Sequence, residues 1–79
     1  MQPQEVLSSM KNLQMTSNRV TIAHMGVSHA VGKYLTTIEY GGDQESAADE
    51  LARCLHESAA SLLAFMDATK RLDRSIGNE

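Results

Sequence analysis

The chain has no tryptophan, one phenylalanine, two tyrosines, one proline and one cysteine among its 79 residues. With so few large rings, the apolar content comes mostly from Ala, Leu, Val and Met, a palette that suits closely packed helices. The single Cys54 excludes an internal disulfide; flanked by Leu51, Leu55 and Ser58 on a helix, it reads as a buried small hydrophobe in a reducing, cytoplasmic setting. No apolar run approaches the ~20 residues that span a bilayer, and residues 1–11 lack the basic-then-apolar order of a signal peptide. An excess of positive charge is also missing. The formal net charge is −3, with Lys11, Arg19 and Lys33 against Glu5 and Glu39 making residues 1–40 +1 and the remainder −4. Neither half is a basic patch, so phosphate neutralisation is not the obvious source of affinity, and nucleic acid is the less favoured partner. A chain this short buries only about 60% of the surface its unfolded form exposes, so residues 1–79 form one small domain whose own core is marginal and which needs a partner.

What is present is periodicity. Ala48, Leu51, Leu55, Ser58, Leu62, Phe65, Thr69, Leu72 and Ile76 recur at three- and four-residue steps, and Ala52, Ala59 and Met66 widen the stripe. This spacing predicts one long amphipathic helix over Ala47 to Leu72. Gly41 and Gly42 interrupt the pattern before it, and Asp43 is placed to accept hydrogen bonds from its first free amides. Lys70, Arg71 and Arg74 fall at the negative end of the helix, and Gly77 can take the left-handed conformation that closes it. Two i,i+4 pairs, Asp49 with Arg53 and Asp67 with Arg71, are expected on the exposed side. Residues 77–79 read as a frayed tail.

In the first half Pro3 can occupy the first helical position, and Val6, Met10, Leu13, Ser17, Val20, His24, Val27, Val31, Tyr34 and Ile38 keep a seven-residue repeat. The polar run Thr16-Ser17-Asn18 contains good N-cap types and predicts a break or kink there. The β-branched and aromatic content of residues 19–40 supports a competing ββα reading, with strands over Arg19 to Met25 and Lys33 to Tyr40. Apolar residues do not alternate cleanly, whereas the seven-residue phase persists, so helix is preferred. Gly26 and Gly32 weaken that helix, or with Ala23 and Ala30 permit a close helix approach.

No constellation of residues carries a recognisable chemistry. His24 and His29, five apart, lie about 140° from each other on a helix, and Cys54 and His56 are two apart; neither is a chelating spacing. His24 occupies a core-phase position, where a lone polar residue fixes register at some cost in stability. The carboxylates sit on polar helix faces, no G-x-S-x-G elbow or phosphate loop occurs, and neither catalysis, metal nor cofactor is expected. Met15, Met25, Ile22 and Leu35 lie off the main seam and form a second apolar strip or widen the core.

Leu55-His56-Glu57-Ser58-Ala59, in an acidic helical hairpin with a turn before it, resembles the second helix of the Rop/Rom plasmid-copy-number regulators. The resemblance implies an antiparallel dimeric four-helix bundle that binds paired RNA loops. It covers a short part of the chain and assigns no family. The first half lacks that family's short polar-faced helix, so no RNA-binding residue carries over.

The expectation is therefore an all-α helical hairpin, turning at Gly41-Gly42, its first arm broken near Ser17, that dimerises into a bundle. Its interface residues would be Leu51, Leu55, Leu62, Phe65, Met66, Val27, Val31, Met25 and Leu35. The function expected is that of a bacterial or phage regulator, inhibitor or chaperone that binds a protein through an apolar helix face, with a nucleic-acid-binding dimeric bundle as the alternative.

Overall fold

The computed structural model describes residues 3–77 and consists of two α-helices, α1 (Pro3–Tyr40) and α2 (Gln44–Gly77), packed side by side as a hairpin. At 1.5 Å per residue a 38-residue helix is about 57 Å long, which sets the dimensions of the rod at 59 × 13 × 12 Å. No strand occurs among the described residues, so the ββα alternative falls: the seven-residue period outweighs β-branched propensity.

The turn follows the residues that predicted it. Gly41 and Gly42 hold φ of +92° and +132°, values that L side chains rarely adopt, and the Gly41 amide donates to the Thr37 carbonyl at 2.9 Å. Asp43 then caps α2: its Oδ1 accepts from the Ser46 amide at 3.0 Å, and its carbonyl accepts from the Ala47 amide at 3.1 Å.

Three expectations need correction. α1 is continuous through Thr16-Ser17-Asn18, where the Thr16 and Asn18 side chains bond within the helix rather than capping a new one. The Thr16 hydroxyl donates to the Asn12 and Leu13 carbonyls at 2.9 and 3.0 Å, Thr21 donates to the Ser17 carbonyl, and Gln14 donates to Asn18 Oδ1. Gly77 remains helical instead of turning left-handed; of the proposed tail only residue 77 is described. Arg53 pairs with Glu57 at 2.9 Å, not with Asp49, while Asp67 and Arg71 pair as expected at 2.9 Å.

The contact between the helices runs along a row that hydrophobicity does not mark. Ser9, Thr16, Ala23, Ala30 and Thr37 on α1, and Ala47, Cys54, Ser61, Ala68 and Ser75 on α2, recur at intervals of seven and are all buried or half-buried. The four buried residues among those described, Thr16, Ala30, Ala47 and Ala68, belong to these rows. Beside each small row, about 40° around the helix, runs a half-buried row of larger residues: Val6, Leu13, Val20, Val27 and Tyr34 on α1, and Leu51, Ser58, Phe65 and Leu72 on α2. Two cross-helix contacts fix the register near opposite ends, Ser9 Oγ to Ser75 Oγ at 3.4 Å and Lys33 Nζ to Glu50 Oε2 at 2.9 Å. The numbers 9 and 75 sum to 84, and so do 16 with 68, 23 with 61, 30 with 54 and 37 with 47, so the small rows face each other along the whole rod. Small side chains let two backbones approach closely. The hydroxyls they bring with them bond to their own helices, Ser61 to the Ser58 carbonyl, Ser75 to Arg71 and Thr37 to Lys33, and no buried side-chain polar atom among the described residues lacks a partner.

The seam fixes the shape of the hairpin but buries no large side chain fully. Burial of alanines contributes little compared with the ~1.5–3 kcal/mol of a fully buried Leu or Phe.

Candidate functional site: an open apolar face

One further row lies next to the half-buried one, about 100° from the small row on each helix. On α1 it holds Met10, Ser17, His24, Val31 and Ile38, and on α2 Ala48, Leu55, Leu62, Thr69 and Ile76. About 40° beyond it, Leu7 and Leu35 on α1 and Ala52, Ala59 and Met66 on α2 extend the apolar surface, interrupted on α1 by Gln14, Thr21 and Ser28. Because the helices run antiparallel, the same rotational offset from the contact line brings both outer rows to the same side of the hairpin. A groove of about 330 Å³, lined by Met10, Leu13, Gln14, Ser17, Phe65 and Leu72, runs between the helices on that side.

This side is apolar and open. Leu55 is 51% exposed, Leu62 46%, Met66 54% and Ile38 51%. From Val6 to Ile38 on α1 and from Leu51 to Leu72 on α2, the half-buried row and the two outer rows carry no acidic or basic side chain except His24, and it is exposed. The core-phase histidine therefore faces outward, at the middle of the open face, and not into the contact between the two helices.

The opposite side is mixed, carrying the charged groups together with the exposed Met15 and Ile22. A second groove of about 430 Å³ is lined by Ser8, Ser9, Lys11, Asn12, Met15 and Arg71. Lys33 bridges to Glu50 across this side, and the hydrogen bond and positive charge of Lys33 hold the Glu50 carboxyl below its ordinary range, helped by Arg53 and His29 and opposed by slight desolvation.

The sequence-predicted interface residues divide accordingly. Leu51, Phe65 and Val27 are half-buried at the floor of the open face, and Leu55, Leu62, Met66, Val31 and Leu35 stand exposed on it. Met25, 65% exposed, points away, about 200° from the contact line, and Met15 and Ile22 lie within about 60° of it; these three stay exposed outside the helix contact, as the second-strip reading expects, while Leu35 joins the open side. Of the small rows that place this face, only Ala23 and Ala30 were marked in the sequence as sites of close helix approach, and they do lie in the contact. The strict seven-residue recurrence of the rows in both halves was the available signal. Among the described residues no three His, Cys, Asp or Glu side chains cluster so as to hold a metal ion, and no helix is long and apolar enough to cross a membrane. Compared with known protein families, curated proteins and solved structures, the chain matches none.

Proposed function

We propose that this chain is a small non-enzymatic protein–protein interaction module, a regulator, inhibitor or chaperone that works by presenting its open face to a helical or otherwise apolar partner. One observation carries the reading: over residues 6–38 and 51–72 one face of the hairpin exposes large apolar side chains, bears no acidic or basic side chain except His24 and is covered by none of the described residues. Along it Met10, Val31, Ile38, Leu55, Leu62 and Met66 stand 37–54% exposed, a concentration of large apolar side chains of the kind that marks an interaction surface. Such a face suits helix-in-groove recognition, in which anchors at three- and four-residue steps fill a groove between helices.

The test is a pull-down from the source cell with three baits, wild type, Leu62→Asp and Glu57→Ala. A protein retained at high salt by wild type and Glu57→Ala, and lost with Leu62→Asp, supports the reading. Co-purifying nucleic acid that is released steeply by salt, with binding indifferent to Leu62→Asp, refutes it in favour of the dimeric nucleic-acid-binding alternative.

A further inference from the structure

Resting on that reading, we infer that the first occupant of the open face is a second copy of the chain, laid on it with its loop end against the first copy's terminal end. The argument combines need, shape and charge. Since no large side chain is fully buried within one hairpin, the apolar rows on the open side gain most of their available burial only when something as long as the rod covers them. The covering surface has to repeat every seven residues to mesh with rows that do so over five turns of the pattern. The face itself meets that requirement.

Charge selects the orientation. At the edges of that face, on rows about 160–200° from the contact line, the loop end carries Glu39, Glu45 and Asp49 and the terminal end Lys11 and Lys70 against Asp73, while the other helical charges lie on the opposite side. Two copies side by side in the same direction would set the acidic edges together. A two-fold axis perpendicular to the rod sets each acidic end beside a basic one. The axis then crosses the face near its mid-length, where His24 and Leu62 lie, each the central residue of its five-residue outer row. A closed two-fold pair of this kind uses one patch on both subunits and leaves no edge for further growth.

The experiment pairs sedimentation with one long distance. Gln44→Cys in a Cys54→Ala background places a single spin label at the loop end, at an exposed position. The expected results are a dimer at micromolar concentration whose melting temperature falls on dilution, and a label-to-label distance close to the 59 Å of the rod. Leu62→Asp should shift the sedimentation to monomer. A label distance within about two helix diameters, roughly 20–25 Å, would make the pair parallel and overturn the orientation. A folded monomer with a dilution-independent melting temperature overturns the second copy altogether. If in that case Leu62→Asp still abolishes capture of a cellular protein, the open face remains an interaction surface and only its occupant was misassigned; if it does not, both inferences fail.

Discussion

Enlarging one alanine in the contact row should destabilise this protein more than any comparable change on its surface. Ala30 and Ala68 are 2% and 1% exposed, and both lie in small rows that face the other helix. Ala→Leu at either position adds three carbon atoms where the helices are held together. Were there space, each added CH₂ would contribute ~0.8 kcal/mol of burial. Without it, the helices must separate locally or the side chain must leave its rotamer, and overpacking of this kind costs about 1–3 kcal/mol net. Helix propensity is nearly neutral, since Ala and Leu are both strong formers. For a domain of this size 1 kcal/mol moves the melting temperature by roughly 4–8 °C, so Ala30→Leu and Ala68→Leu should each lower it by at least several degrees in thermal denaturation followed by circular dichroism. Ala60→Leu, exposed on the same helix as Ala68, is the control and should change little. If Ala30→Leu or Ala68→Leu melts higher than wild type, the small row is not the line of closest approach, and the helices pack instead along the neighbouring row of Val31 and Leu62.

Further outcomes can be checked on the same material. A Cβ built at Gly32 meets nothing within 4 Å, so Gly32→Ala should raise stability by up to about 1 kcal/mol, and a loss on chemical denaturation would mean that a partner's backbone approaches there. His24→Leu replaces the one basic group on the open face and should leave the fold intact while raising the melting temperature at a fixed concentration; an unchanged value would show that the position stays in water. The folded-state pKa of Glu50 lies below its ordinary value of 4.5, so the stabilisation from its pairing is present above that value and is lost as pH falls through the folded pKa. In an NMR titration Lys33→Met should move the Glu50 carboxyl back up toward 4.5, and no movement would show that the Lys33 bridge does not persist in solution.

The elements of this fold were legible because helix ends and glycine turns are written locally. Asp43, Gly41 and Gly42 act within three or four residues of themselves, and the structure places each where its chemistry requires. The break expected at Thr16-Ser17-Asn18 shows the limit of that logic, since a hydroxyl that can cap a new helix can also bond back to a carbonyl one turn earlier, and only the neighbouring helix decides which. The contact line was hidden for a different reason. A pattern weighted by hydrophobicity selects both the row half-buried beside the seam, with Leu13, Val20, Leu51 and Phe65, and the exposed row of Met10, Val31, Leu55 and Leu62, while the helices come closest over Ser, Thr, Ala and Cys chosen for size. The apolar face was thus read from sequence as a surface for a partner, and the row along which the two arms meet was not.

The shared seven-residue period of the two contact rows makes the length of this molecule a stepped quantity. Removing one residue from either arm would rotate everything beyond it by about 100° and exchange the open side for a charged one. Removing residues 17–23 together with 61–67 takes one small-row residue from each arm, Ala23 and Ser61, which face each other, and leaves the remaining rows in phase. Each such paired deletion shortens the rod by about 10.5 Å, seven residues at 1.5 Å each, without changing which residues meet across the remaining seam. Length variants of this hairpin can therefore arise by matched heptads in both arms and not by unmatched ones, and a shortened chain would keep its turn, its seam and an open side of the same character.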